Sequence, residues 1–181
     1  MRAVLDACVL YPTVMREMLM GAAAAGVFTP LWSARILEEW ARAAARLGAE
    51  GEAVARAEIA LLRDRWPDAE IAPSPHLEAG LHLPDPNDAH VLATAIAGGA
   101  DAIVTLNLQD FPTRLLSSHG ILRRDPDGLL REAWAADPER LAGVAARVRA
   151  RAEAISGQPQ PLRPLLKKAK LPRLAKALSQ D

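Results

Sequence analysis

Residues 83–112 read LPDPNDAHVLATAIAGGADAIVTLNLQDFP, and this stretch decides the fold. It begins with acidic residues, continues as an apolar helix predicted from His90 to Ala97, and reaches a glycine pair that ends the helix. The next segment, Ala102–Leu106, is short and apolar, which is typical of a buried parallel strand. The stretch therefore predicts a helix–strand unit of an α/β fold, with acids before its helix and after its strand.

Further strands and helices alternate along the chain. The hydrophobic pattern predicts strands at 2–5, 27–32 and 121–122, helices at 13–25, 34–46 and 52–65, an extended segment at 70–75 and a short helix after residue 112. Ser33 is the predicted N-cap of the helix at 34–46. This alternation favours a central parallel sheet covered by helices on both faces.

The alternation of strands and helices ends at residues 125–128, whose sequence DPDG is typical of a domain boundary. We therefore predict an α/β domain at 1–124 and a helical C-terminal extension at 125–181. Helices are predicted at 129–136 and 138–154, with Asp137 as the N-cap of the second. Residues 157–161 are a predicted linker, and the basic segment 162–178 contains two prolines that argue against a continuous helix.

Charge is distributed unevenly although the net charge is zero. From Arg140 onward there are ten basic and two acidic residues, a net charge of +8. Such a basic arm suggests nucleic-acid contact, and a solvated amphipathic tail explains the charge equally well. The single cysteine, Cys8, favours a reducing cytoplasm, and no apolar run approaches the roughly 18–20 residues that span a bilayer. The sequence thus predicts a soluble cytoplasmic protein.

Several acidic residues are expected near the ends of strands, and each has a purely structural explanation. Asp6 directly follows the first strand, where a turn-forming aspartate is common. Asp85 is the predicted N-cap before Pro86, which places Asp88 in the first turn of a helix. Asn107 and Asp110 fit an ordinary turn after the strand at 102–106 and, like His90, do not indicate a binding site when taken alone.

Two adjacent glutamates on the helix at 34–46 are separated by helical geometry. The apolar face of that helix contains Ile36, Leu37 and Trp40. Glu38 lies nearly opposite that face and is expected to be solvated. Glu39 lies at its border, from which a side chain can lean into a cleft.

As a set, these acids indicate a more specific site. Ligands of open α/β sheets bind outside the carboxyl ends of the strands, where acids from distant segments can converge. Clustered carboxylates repel one another unless cations are bound, and ligand sets made only of oxygen select Mg²⁺ or Mn²⁺. Such ions support phosphodiester hydrolysis. A P-loop, a dinucleotide-binding glycine motif and zinc-ligand spacing are all absent from the sequence.

The sequence resembles the PIN domain, the nuclease fold of bacterial toxins of the virulence-associated-protein-C type. The matching segments are AVLDACVLYP at 3–12, WSARILEEW at 32–40 and DPNDAHVLATAIAGGADAIVTLNLQDFP at 85–112. The resemblance covers residues 1–124 and implies a three-layer PIN-like fold, with the region after 125 as an added helical extension. The catalytic and metal-binding residues that it implies are Asp6, Glu39, Asp88 and Asp110, with Asn107 as an alternative to Asp110 and Asp85 as an accessory acid. Cys8 stands where many members carry a small hydroxyl or amide residue.

The resemblance also implies a function. It predicts an Mg²⁺- or Mn²⁺-dependent endoribonuclease that acts on RNA as the toxin of a type II toxin–antitoxin pair. The implied partners are RNA, a cognate antitoxin protein and a second copy of the chain. The alternatives are a PIN-like module that binds RNA or protein without cutting, and a processing nuclease that acts on other nucleic acids.

Overall fold

The computed structural model describes residues 1–179 of the 181-residue chain. It contains a parallel five-stranded sheet with the strand order β3-β2-β1-β4-β5. The strands are β1 (Arg2–Leu5), β2 (Thr29–Ser33), β3 (Glu70–Ile71), β4 (Ala102–Val104) and β5 (Leu122–Arg124). The predicted α/β class with a parallel sheet is confirmed.

Helices connect the strands, and further helices come after the last strand in the chain. They are α1 (Ala7–Leu10), α2 (Thr13–Ala24), α3 (Ala34–Ala45), α4 (Ala49–Arg65), α5 (Pro75–Ala79), α6 (Ala89–Ala97), α7 (Thr113–Ser118), α8 (Pro126–Ala136), α9 (Pro138–Ser156), α10 (Leu162–Lys168) and α11 (Pro172–Ala177). Two 3₁₀ turns, Pro86–Asp88 and Leu108–Asp110, contain the candidate site residues Asp88 and Asp110. Within the described part of the chain, no helix combines the length and apolarity needed to cross a membrane.

The chain divides into two compact units. The first consists of residues 1–11 and 29–124, and the second of residues 12–28 and the chain from 125 onward. Residues 12–28, which lie within the predicted domain at 1–124, group with the C-terminal helices in the second unit, and the predicted domain bounds stay a prediction. In the second unit α2 packs on α8 and α9, and Gly21 lets α2 approach Val144 of α9 so closely that a Cβ at Gly21 would meet its side chain at 2.5 Å.

The core of the first unit lies around the central strands. Val4 of β1, Leu31 of β2 and Ile103 of β4 are completely buried, as expected for a parallel sheet covered on both faces. Ser33 caps α3 as predicted, because its hydroxyl accepts a hydrogen bond from the Ile36 amide at 3.3 Å. This cap fixes the start of the helix that carries Glu39.

The basic segment 162–178 is not one continuous helix, as predicted, but it is helical at 162–168 and at 172–177. Pro164 and Pro172 do not interrupt one helix, because each lies in the first turn of a separate helix, where a missing N–H has no consequence. The buried Asp127 of α8 accepts hydrogen bonds from the Arg173 and Leu174 amides at 2.9 and 3.0 Å. The Asp127 carboxylate therefore caps α11 and joins α11 to α8 within the second unit.

Candidate active site

Asp6 lies at the carboxyl edge of the two central strands. It follows β1 directly, and its amide donates a hydrogen bond to the Val104 carbonyl of β4 at 3.1 Å. This bond continues the parallel ladder by one residue and fixes the backbone of Asp6. The side chain is buried. A buried carboxylate in this position needs partners, because burial without hydrogen bonds is costly.

Two side chains donate hydrogen bonds to one oxygen of Asp6. The Thr105 hydroxyl donates to Oδ2 at 2.7 Å, and the Cys8 thiol donates to the same oxygen at 3.0 Å. Thr105 is completely buried and follows β4, while Cys8 lies in α1. The cysteine at this position thus supports Asp6 as a small hydroxyl residue would. Sequence reasoning missed Thr105, because the predicted strand Ala102–Leu106 included it, whereas β4 ends at Val104 and leaves Thr105 at the edge of the sheet.

Cys8 is held as a neutral thiol. Burial, followed by the neighbouring charge of Asp6, raises the pKa of Cys8 to about 12. The Leu106 amide also donates a hydrogen bond to Sγ at 3.2 Å. Because the group keeps its proton near neutral pH, it remains a hydrogen-bond donor to Asp6.

Asp88 is the clearest sign that several acids converge. Burial and the charges of Asp6, Asp85 and Asp110, in that order, raise the pKa of Asp88 to about 6. Asp88 precedes α6 without a side-chain capping bond, whereas Asp85 accepts a hydrogen bond from the Asn87 amide at 2.9 Å. Capping therefore accounts for Asp85, as predicted, and leaves the carboxylate of Asp88 unexplained by local structure.

Asp110 is carried on the 3₁₀ turn after β4. The Arg123 guanidinium of β5 donates hydrogen bonds to the Leu108 and Phe111 carbonyls and so holds this turn in place. Asn107 precedes the turn, and its amide donates a hydrogen bond to the Thr105 hydroxyl at 3.0 Å. The role of Arg123 was not predicted, because the pairing of β5 with β4 that brings it there is long-range.

Glu39 is linked to the acidic cluster through a histidine. Its Oε1 lies 2.9 Å from His90 Nε2 and accepts a hydrogen bond from Arg35 at 3.3 Å. His90 follows Asp88 by two residues and is only 5% exposed, and its Nδ1 has no hydrogen-bond partner within residues 1–179. The charges that raise the pKa of Asp88 most are those of Asp6, Asp85 and Asp110, so Glu39 lies at the margin of the cluster.

The Glu38 side chain contacts arginines of α3 and α4. Hydrogen bonds from Arg56 and Arg42 hold it, and the Arg56 bond is the main reason why the pKa of Glu38 is lowered. The sequence predicted a solvated side chain; the structure gives a surface carboxylate engaged by two arginines. Of the two glutamates, Glu39 is the one that contacts α6.

The donor chemistry of the cluster suits a hard cation, but the side chains are not drawn together as ligands. Asp6, Asp85, Asp88 and Asp110 offer only carboxylate oxygens, the donors that Mg²⁺ and Mn²⁺ prefer. Among the described residues, no group of three His, Cys, Asp or Glu side chains has the geometry to hold a metal ion. Binding would therefore require these carboxylates to approach one another further.

The fold and this site define a class of protein: a parallel α/β domain with a cluster of acids at the carboxyl edge of its sheet. Residues 2–109 match the model of the PIN domain family, and the chain belongs to that family. Comparisons with curated proteins and with solved structures gave no match. PIN domains are generally nucleases, so family membership favours a nuclease function.

Proposed function

We propose that this protein is an Mg²⁺- or Mn²⁺-dependent endoribonuclease and the toxin of a type II toxin–antitoxin pair. The observation that carries the proposal is the convergence of carboxylates from three distant segments of the chain near Asp88, whose charges, together with burial, raise the pKa of Asp88. Structural acids are normally paired with bases or with amides at helix N-termini, whereas around Asp88 the charge of His90 offsets only part of the negative charge. A divalent cation would compensate it.

In this proposal Asp6, Asp88 and Asp110 hold the cation, and Asp85 and Asn107 are accessory oxygen donors. A bound divalent ion polarises the phosphate and lowers the pKa of water, which is the chemistry it supplies. Thr105 and Cys8 hold Oδ2 of Asp6 in a fixed orientation.

Glu39, oriented by His90, positions the attacking water. The water oxygen bonds to phosphorus as the P–O3′ bond breaks, the water gives up a proton to solvent and the leaving O3′ takes one up from solvent, which leaves a 5′-phosphate and a 3′-hydroxyl.

Unstacked RNA is the proposed substrate, because single strands and loops can be drawn into a cleft that a duplex cannot enter. The second unit by itself carries exposed basic residues, including Arg163, Lys167 and Lys168, and such residues attract the phosphate backbone of RNA. The same surface suits an acidic antitoxin segment. Such a toxin would act in the cytoplasm, where its RNA substrates are.

RNA cleavage tests this proposal. The wild-type protein should cut single-stranded and hairpin RNA with Mg²⁺ or Mn²⁺ and stop when EDTA is added. Asp6→Asn and Asp88→Asn should lower the rate by at least about 100-fold, whereas Asp64→Asn on the exposed side of α4 serves as the matched control. Equal cleavage by all four proteins would refute the site.

Two further comparisons separate the alternatives. Digestion of RNA beside single-stranded DNA of the same sequence distinguishes a ribonuclease from a nuclease for other nucleic acids. Expression of the chain without a partner should arrest growth if it is a toxin, and the Asp88→Asn variant should not. A protein that binds RNA but neither cuts it nor arrests growth is a non-catalytic PIN-like module.

A further inference from the structure

Helix α4 has apolar residues on two opposite faces. Ala55 and Ile59 are buried on the face that packs against α3. On the opposite face, Val54 is 55% and Leu61 is 68% exposed. Residues seven apart lie on the same line of a helix, so these two side chains form one exposed apolar stripe. A helix that is apolar on both faces is normally buried on both.

Charged residues at the two ends of α4 continue this stripe. Glu50 lies in the first turn and Arg65 in the last, and helical geometry places both close to the line through Val54 and Leu61. Both are exposed, and neither has an ion-pair partner among residues 1–179. The stripe therefore runs acidic, apolar, apolar, basic along the helix.

The charged side chains on the inner face behave differently. Arg56 pairs with Glu38 at 3.0 Å and with Glu52 at 2.7 Å, and Arg63 pairs with Glu70 at 2.6 Å. The charges that face the rest of the first unit are thus satisfied. Glu50 and Arg65, at the two ends of the exposed apolar stripe, have no such partner among residues 1–179.

If a second copy of the stripe runs in the opposite direction, each charged residue faces an opposite charge and each apolar residue faces an apolar one. The midpoint between Glu50 and Arg65 is also the midpoint between Val54 and Leu61, and it falls next to Ala57. We propose that α4 packs antiparallel against α4 of a second copy of this chain. About a two-fold axis near Ala57, Val54 meets Leu61 of the second copy, and Glu50 meets its Arg65. A two-fold contact is self-complementary, as this stripe is.

Charge selects the antiparallel arrangement. A parallel pairing of the same faces would set Glu50 against Glu50 and Arg65 against Arg65, and like charges in contact are destabilising. Ala57 and Ala53 present small side chains near the crossing point, which lets the helix axes approach. The pairing needs neither RNA nor a metal ion, so it stands independently of the proposed nuclease function.

Sedimentation velocity of the full chain over a range of concentrations tests the pairing. The wild-type protein should dimerise, and Leu61→Asp should raise the dimer dissociation constant at least about 10-fold by placing a charge in the seam. Ile155→Asp, at a 72%-exposed position of α9, is the matched control and should leave the constant unchanged. Circular dichroism confirms that each variant is folded, as expected for substitutions at exposed positions.

A charge swap tests the register. Glu50→Arg and Arg65→Glu should each weaken the dimer several-fold, and the double variant should restore it to near the wild-type constant. A wild-type chain that stays monomeric, or a dimer insensitive to Leu61→Asp, would overturn the proposal. Weakening by both single swaps without recovery in the double variant would overturn the antiparallel register.

Discussion

The Thr105 hydroxyl donates a hydrogen bond to Oδ2 of Asp6 at 2.7 Å, and both residues are buried at the carboxyl edge of neighbouring strands. The two residues are 99 positions apart in the chain. The bond joins the loop after β4 to the acid after β1. A buried carboxylate with a hydroxyl donor is held in one orientation, which is what a metal ligand requires.

Thr105→Val tests this bond, because it keeps the shape of the side chain and removes the donor. A lost hydrogen bond to a charged group should lower the free energy of unfolding by about 1.5–3 kcal/mol. Thr29→Val at the exposed start of β2 is the matched control. Urea unfolding of the three proteins measures the difference, and equal midpoints for both variants and the wild type would show that the bond contributes nothing.

The contact between His90 and Glu39 makes a separate prediction. His90→Phe removes the Nε2 donor that lies 2.9 Å from Glu39, and leaves the glutamate to Arg35 alone. Outer partners of a metal site typically contribute about 10–100-fold, so RNA cleavage should fall by that factor. His90→Gln retains a donor and should recover part of the rate. If both variants cleave like the wild type, His90 has no part in orienting Glu39.

The raised pKa of Asp88 predicts how cation binding depends on pH. Asp88 binds a proton below pH about 6, and a cation must displace that proton. The apparent Mn²⁺ affinity should therefore be constant above pH about 7 and fall roughly tenfold per pH unit below pH 6. Calorimetric titration between pH 5 and pH 8 measures this, and an affinity that does not change with pH would contradict the assignment of Asp88.

The raised pKa of Asp88 also predicts how stability depends on pH when no divalent ion is bound. The trend is opposite to that of Mn²⁺ affinity, which rises with pH. The pKa of Asp88 is 3.8 for the free group and about 6 in the folded protein, so between these values the folded state binds the extra proton. The free energy of unfolding should then fall as the pH rises through this window. Asp88→Asn should remove this part of the pH dependence. Parallel profiles for variant and wild type would show that Asp88 is not the responsible group.

Asp127 provides a prediction for the C-terminal helices. Its carboxylate accepts hydrogen bonds from the Arg173 and Leu174 amides, and Asp127→Ala leaves these amides without their cap. Because the cap is buried, the free energy of unfolding should fall by about 2–3 kcal/mol. The ordinary N-cap of α9, tested by Asp137→Ala, should cost about 1 kcal/mol.

Hydrogen exchange locates the effect of Asp127→Ala. The amides of α11 should exchange faster in this variant than in Asp137→Ala. Unchanged exchange in α11 would mean that the hydrogen bonds to Asp127 do not stabilise this helix.

Local features of the fold were predictable, because they depend on residues close in sequence. The Ser33 and Asp137 caps, the helix before β4 and the order of strands and helices all follow from short patterns. The long-range contacts were not predictable. No local pattern indicates that Arg123 would hold the turn of Asp110, or that residues 12–28 would pack with the C-terminal helices.

The candidate acids illustrate the same limit. The position of Asp6 after a strand and that of Asp88 before a helix could be predicted from sequence, whereas the concentration of negative charge around Asp88 depends on three segments meeting in space. His90 looked like an ordinary packed histidine. Its contact with Glu39 arises only because α3 and α6 lie close together in the folded first unit.

The most direct measurement of the central claim is Mn²⁺ binding by calorimetry at neutral pH to the wild-type chain, Asp88→Asn and Asp64→Asn. If the acids around Asp88 hold a divalent cation, the wild type and Asp64→Asn should bind Mn²⁺ alike, and Asp88→Asn should bind at least about 10-fold more weakly. Equal binding by all three proteins, or no binding by the wild type, would contradict the claim.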